Sequence, residues 1–176
     1  NHYRLTSTCP NVNFSDATLL VNWIRLIKSE NEINYMREGA KLVEAGMMTA
    51  YENIKPGVKQ SYVAGKIQNS LIGGNEEINI GGEYAGLTTI LASGVSASAS
   101  HLTAKDNLFN NNEGTIIELA GVKHRYHCPL SRTVYCGKPD SKISDTMKIT
   151  NEGVEQAISI IKPGKTAHDV AVAFWS

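Results

Sequence analysis

Cysteine is scarce in this sequence, and its few cysteines follow no metal-binding pattern. They are Cys9, Cys128 and Cys136, an odd number with no Cys-x-x-Cys pair among them. Such a set argues against a disulfide scaffold and gives no support for a zinc ribbon. It is typical of a reducing compartment, so we predict a cytoplasmic location. Cys128 is interpreted as an ordinary, partly buried thiol rather than as a nucleophile.

An excess of charge of either sign is also missing. The 17 basic and 17 acidic residues cancel, so the sequence predicts neither a nucleic-acid partner nor a membrane partner. No apolar run approaches the roughly 20 residues of a membrane span, and residues 1–4 show no signal-peptide pattern. Because the chain starts at Asn1 without Met, we expect the natural N-terminus to lie upstream. The 176 residues suffice for one hydrophobic core.

The spacing of apolar residues and of helix caps predicts four helices and several strands. Ser29-x-x-Glu32 is a capping box that opens a long helix, and Lys55-Pro56-Gly57 ends that helix. The other predicted elements are a helix over 61–71, a strand over 88–92, a small-residue loop over 93–101 that ends in His101, a helix over 143–161 and a last helix from Thr166.

The stretch from Gly114 to Gly137 predicts two strands, because β-branched and aromatic residues fill both halves. We expect their tight turn near Gly121–Lys123. Glu118 lies inside the apolar first half, where a carboxylate is costly unless it is paired or functional. An acid beside the bases and hydroxyls of the second half is typical of catalytic sites. The alternative is an acid paired with Arg125 or Arg132 in an ordinary sheet.

A helix–turn–helix unit occurs twice in the sequence. Residues 41–67 and 148–174 are identical at nine of 27 positions, including both Ile-Lys-Pro-Gly turns. Average composition would give roughly one or two identities. Strands follow the first copy, whereas the chain ends inside the second. We therefore expect a pseudo-symmetric domain of which this chain is a fragment.

Taken together, these motifs resemble the pita-bread superfamily of creatinase, aminopeptidase P, prolidase and methionine aminopeptidase. The resemblance covers residues 22–176 and rests on several motifs in a specific order. They are Trp23 to Ser29 with Glu32, both Ile-Lys-Pro-Gly turns, Ala92-Ser93-Gly94 leading to His101, Glu118-Leu119-Ala120-Gly121, and Ser131-Arg132-Thr133. The resemblance implies an α+β pita-bread fold, present here as its N-terminal half plus the first helices of its second half. Residues 1–21 would be the tail of a preceding segment.

The resemblance breaks at one position of the family's dinuclear metal site. His101 stands 17 residues before Glu118, the spacing between the family's substrate-side histidine and its first metal-binding Asp. A second Asp would follow eleven residues later, but Pro129 stands there and has no side-chain donor. A dinuclear site needs bridging oxygens. The departure predicts no metal and no other cofactor; a peptidase would instead use Mn, Co or Zn.

The run from Glu118 to Thr133 is especially similar to ectoine hydrolases, members of the superfamily that open a cyclic amidine solute. That similarity predicts a C–N bond hydrolase with His101 and Glu118 as catalytic residues. A carboxylate can attack the amidine carbon or act as a general base, and an imidazole can carry a proton to the leaving nitrogen. The candidate substrate-binding residues are Tyr84, Tyr126, His127 and Arg132. Tyr126 and His127 lie on opposite faces of a regular strand, so only one of them faces the pocket.

Two other functions stay open at this point. One is a divergent Xaa-Pro aminopeptidase or dipeptidase with a rearranged metal site, and the other is a non-catalytic pita-bread module that binds a protein partner. The family resemblance also implies a homodimer that binds a small-molecule substrate. The residues present here are expected to be inactive by themselves, since the remaining catalytic residues would belong to the missing half.

Overall fold

The computed structural model describes residues 2–86 and 88–176. Within these ranges the chain forms an α+β structure in which helices cover one face of a small antiparallel sheet. Its elements are α1 (His2–Thr8), α2 (Leu20–Leu26), α3 (Glu30–Asn53), α4 (Gln60–Gly73), β1 (Ile90–Ser93), a short 3₁₀ helix (Gly94–Ser98), β2 (Glu113–Lys123), β3 (Tyr126–Cys136), α5 (Ser141–Ile160) and α6 (Ala167–Trp175). Helix α1 was not predicted, and none of its residues is buried.

The start of α3 confirms the predicted capping box. The backbone N–H of Glu32 donates to the Ser29 hydroxyl, and the Glu32 carboxylate accepts from the Ser29 N–H at 2.6 Å. Two donors that the helix leaves unpaired are thereby satisfied. After the helix, Gly57 adopts φ +84°, which only glycine reaches without strain.

The sheet has the order β1-β2-β3, with both pairs antiparallel. Its register sets Glu118 opposite Ile90 on one side and Ser131 on the other. Since directly opposed residues share a face, each strand presents alternate residues to the helices and to the other side. Leu119 and Ile117 are fully buried on the helix side, beneath α3 and α4.

Helix α3 approaches β2 very closely because both carry glycine at the contact. A Cβ on Gly121 would overlap the carbonyl oxygen of Gly39 and lie 2.7 Å from the backbone nitrogen of Val43. Farther along α3, a Cβ on Gly46 would lie 2.8 Å from Leu71 of α4. These glycines let the helices pack onto the sheet and onto each other at short range.

The predicted position of the hairpin turn was wrong. The strands remain paired through Lys123 and Tyr126, and the turn consists of His124 and Arg125, which have φ of 47° and 66°. Both residues occupy the left-handed region that a two-residue hairpin turn of type I′ requires. Gly121, which suggested a turn, instead permits the contact with α3.

Helices α5 and α6 pack against each other around Gly153, whose Cβ would lie 2.8 Å from the Phe174 carbonyl oxygen. A glycine thus lies at the helix–helix contact in both copies of the repeat. Gly164, in the second turn, adopts φ +89°, close to the value for Gly57 in the first. Among the described residues, no helix has the length and apolarity needed to cross a membrane.

Candidate active site

The sheet face turned away from α3 and α4 carries the candidate catalytic carboxylate. On β2 this face presents Glu118, and its side chain is 31% exposed. On β3, the same face carries Ser131, which lies opposite Glu118, and Pro129, which lies opposite Ala120. We call this surface, defined by Glu118, Ala120, Val122, His127 and Pro129, the open face.

Glu118 and His101 meet at this face, as the sequence suggested. Their Oε2 and Nε2 atoms are 3.6 Å apart, and the His101 side chain is 71% exposed. This distance is too long for a well-formed hydrogen bond but short enough for direct electrostatic interaction. Neither Arg125 nor Arg132 forms an ion pair with Glu118 in the described part of the chain. The carboxylate therefore faces an imidazole, whose two ring nitrogens can donate and accept hydrogen bonds.

The backbone of His101 is held in an uncommon conformation. His101 has φ +60°, in the left-handed region that few residues other than glycine adopt. The two residues after His101 are attached to β1, which holds the backbone of His101 in place. The Leu91 N–H donates to the Leu102 carbonyl, and Thr103 forms a β-bridge with Ile90. This attachment to the edge of β1 places the imidazole beside Glu118, which opposes the same Ile90 from β2.

Two of the predicted substrate-binding residues form a second cluster on the open face. The rings of Tyr84 and His127 pack edge to face with centroids 5.9 Å apart. His127 lies opposite Val122, whereas Glu118 is four residues farther along β2. The two clusters therefore share a face without touching each other.

Tyr126 and Arg132, the other two predicted substrate-binding residues, are not brought to this face. Tyr126 opposes Lys123 and Arg132 opposes Ile117, so the pleat directs both toward the helix side. The Tyr126 hydroxyl donates to the Glu32 carboxylate at 2.7 Å, and the Arg132 guanidinium donates to the Ser131 carbonyl. The sequence predicted that only one of Tyr126 and His127 faces the site, and the register selects His127.

Electrostatics near Tyr126 support a structural role for it. Hydrogen bonds hold the pKa of Glu32 at about 2. The largest effect comes from the Ser29 N–H and the next largest from the Tyr126 hydroxyl. The same bond to Glu32 raises the pKa of Tyr126. The pair therefore stays a carboxylate and a neutral phenol over the physiological range, and it fixes the hairpin end to the start of α3.

Three residues of the loop before β1 and of the hairpin turn were missed by sequence reasoning. They are Gly86, Glu83 and His124. Glu83 accepts from the His124 N–H at 3.1 Å and approaches its Nδ1 at 3.2 Å. The only sequence signal was the glycine-rich loop, since contacts across about 40 positions leave no local pattern.

A metal site does not assemble from the side chains present here. Residues 2–86 and 88–176 contain no group of three His, Cys, Asp or Glu side chains arranged to hold an ion. Beside Glu118 on the open face, His101 is the other side chain with a strong metal-binding atom, while the neighbouring β3 position carries Pro129 and His127 lies farther toward the hairpin. These residues do not fit a dinuclear centre by themselves, because the described part of the chain brings no second carboxylate to this face to bridge two ions.

The sequence of this α+β domain places it in a family. The profile of metallopeptidase family M24 matches residues 34–176. The chain belongs to this family.

Curated relatives within the family include different hydrolases. Ectoine hydrolase of Halomonas elongata is 41% identical over 167 residues, which are 93% of this chain and 42% of that protein. The Xaa-Pro dipeptidase of Pyrococcus horikoshii is 29% identical over 157 residues, 89% of this chain and 43% of that protein. The chain thus spans well under half the length of the curated relatives it matches.

Solved structures confirm the predicted fold. The prolidase from Pyrococcus furiosus superposes with a TM-score of 0.80 at 26% identity, covering 88% of this chain and 44% of that one. The chain has the pita-bread fold of the prolidases and aminopeptidase P enzymes, as the sequence motifs predicted. The helix-covered face and the open face are the two sides of the three-stranded sheet.

Proposed function

We propose that the complete protein hydrolyses a C–N bond in a small cyclic amidine or amide solute, with ectoine as the candidate substrate. The observation that carries this proposal is the Glu118–His101 pair, 3.6 Å apart on the open face of the sheet. The ectoine hydrolase of Halomonas elongata, at 41% identity, supports this choice of substrate.

The pair supplies both proton transfers that hydrolysis needs. As a general base, the Glu118 carboxylate takes a proton from water while the water oxygen bonds to the amidine carbon. The C–N bond then breaks, and protonated His101 donates its proton to the leaving nitrogen. One water is consumed: its oxygen stays on the former amidine carbon, its hydrogens end on the product nitrogens, and a proton passing from Glu118 to His101 restores the pair. In an alternative route, Glu118 attacks the amidine carbon directly, the ring nitrogen leaves with the proton from His101, and water then hydrolyses the covalent imidoyl ester to the amide and the free carboxylate.

Metal independence is part of this proposal and rests on the identity of one residue. Pro129 lies beside Ala120 on the open face, where the family resemblance requires a carboxylate ligand. Its ring carries neither a donor atom nor a charge. We therefore assign activation of water to Glu118 itself, with Tyr84 and His127 as substrate-binding residues on the same face.

A second candidate function is cleavage of Xaa-Pro peptides. It is favoured by the Xaa-Pro dipeptidase of Pyrococcus horikoshii, 29% identical, and by the superposition on the prolidase from Pyrococcus furiosus. Such an activity would require metal ligands from parts of the complete protein that lie outside this chain. The two functions differ in substrate and in the need for added metal.

A comparison of substrates separates the two candidates. We expect the complete protein to open the ectoine ring with a kcat/KM at least about 100-fold above that for an Xaa-Pro dipeptide, because a site shaped for one substrate discriminates by that order. Ring opening is followed by NMR and dipeptide cleavage by proline release, with and without Mn²⁺. A preference for the dipeptide would contradict the proposal.

A further inference from the structure

Residues 81–86 run from the helix side of the sheet, around the edge of β2, to the open face. We call this segment the strap. At its start, a Cβ on Gly82 would lie 2.7 Å from the Leu71 carbonyl oxygen and 3.1 Å from Leu42, on the helix side. At its end, the Gly86 N–H donates to the Ala120 carbonyl at 3.1 Å. The strap therefore passes around the part of the β2 edge that β1 leaves unpaired.

Gly86 lies directly against the open face. A Cβ there would be 2.6 Å from Val122, 2.9 Å from the His127 ring and 3.0 Å from Ala120. Val122 and Ala120 are 0% and 2% exposed although they point away from α3 and α4. The strap thus covers the open face beyond Glu118, and Tyr84 extends this cover to His127 on β3.

Polar contacts fasten the strap to the hairpin turn. Glu83 accepts from the His124 N–H and approaches its imidazole, while the Lys123 ammonium donates to the Gly81 carbonyl at 3.0 Å. The His124 ring also packs against Tyr35 of α3 with centroids 4.6 Å apart. We call Glu83, His124 and Lys123 the clasp.

We propose that the strap is the end wall of the substrate site and that the clasp positions it, which limits the site to single-ring solutes. On β2 the wall begins at Ala120, about 7 Å from Glu118 by the strand rise of two residues. On β3 it begins at His127, about 14 Å from Ser131 by the same rise over four residues. A peptide extended along the strands toward the hairpin would collide with Gly86 and Tyr84.

This inference rests on the proposed function and assigns a positioning role to residues that do not touch the reacting atoms. Loss of the clasp should loosen the wall and weaken substrate binding while leaving the Glu118–His101 chemistry unchanged. The expected signature is therefore a change in KM without a matching change in kcat. Loosening should also expose the amide of Gly86, which a hydrogen bond to Ala120 now protects.

The test uses Glu83→Ala in the complete protein, with Glu83→Gln as the conservative variant. Exchange of the Gly86 amide should rise about fivefold in Glu83→Ala, as expected for an exposed polar contact. The KM for ectoine should rise by a similar factor with kcat within about twofold, since only binding is affected. Glu83→Gln keeps an acceptor for the His124 N–H and should restore both values. Glu76→Ala, an exposed carboxylate in the preceding loop, serves as the matched control.

Unchanged exchange of the Gly86 amide in Glu83→Ala would show that the clasp does not position the strap. Faster exchange with an unchanged KM would show that the strap is not a wall of the substrate site. The exchange measurement requires no turnover. Failure of the unmodified protein to open ectoine would therefore refute the proposed function and be distinguished from failure of the clasp.

Discussion

Replacing Glu118 by Gln in the complete protein is expected to lower kcat for ectoine by about 10²–10⁴-fold, the usual contribution of a positioned general base. Glutamine keeps the size of the side chain but can neither accept a proton at neutral pH nor attack the amidine carbon. The side chain is 31% exposed and its neighbour His101 is itself exposed, so the fold should tolerate the change. The rate of ring opening by NMR measures the loss of catalysis, and the melting temperature by circular dichroism measures any loss of stability.

Glu113→Gln is the matched control for that experiment. Glu113 begins the same strand and accepts a hydrogen bond from the Asn110 amide, which a glutamine oxygen can also accept. We expect its kcat to stay within about twofold, as for surface substitutions away from special features. If Glu118→Gln retained the activity of the control, the assignment of the catalytic base would be wrong.

Gly121→Ala is expected to destabilise the fold by about 3 kcal/mol, near the upper end for an overpacked core. The new methyl group would overlap the Gly39 carbonyl oxygen and lie 2.7 Å from the Val43 nitrogen. Both are backbone atoms of α3, so no side-chain rotation relieves the clash, and the helix must move off the sheet. Denaturant unfolding measures the loss, and soluble yield reports it if the variant does not fold.

Gly114→Ala controls for the effect of adding a methyl group to the same strand. Its Cβ would meet its nearest neighbour, the Tyr135 ring, at 3.8 Å, an ordinary contact. We expect a change within about 0.5 kcal/mol, as for a tolerated surface site. Equal stability of the two variants would show that the close approach of α3 and β2 is not required.

The parts of the fold that the sequence predicted depend on local chemistry. The capping box at Ser29 involves residues three apart and forms as expected. The glycine turns after α3 and α5 likewise depend on neighbouring residues, and both adopt the positive φ that glycine allows. Helix α4, predicted from its apolar spacing, extends over Gln60–Gly73.

The errors arose where distant residues decide the outcome. Gly121 resembles a turn glycine, yet its role is set by Gly39, 82 positions earlier in the chain. Arg132 carries suitable chemistry for a substrate clamp, but the register opposite Ile117 turns it away from Glu118. The strand pleat could not be assigned before the turn was placed at His124 and Arg125, because a shift of one residue exchanges the two faces.

The pairing of His101 with Glu118 was anticipated only through the family spacing of 17 residues. The physical reason for their proximity is the attachment of residues 102–103 to β1, whose Ile90 lies beside Glu118. The strap had no comparable signal, since its contacts join residues 81–86 to the hairpin end.

The most direct measurement is ectoine ring opening by the complete protein after exhaustive chelation, with metal content determined on the same sample. We predict that turnover by NMR persists in metal-depleted protein, because Glu118 activates water or attacks the substrate without an ion. Loss of turnover on chelation, with activity restored by Mn²⁺ or Co²⁺, would contradict it. Cleavage of an Xaa-Pro dipeptide under those restored conditions would establish the peptidase function instead.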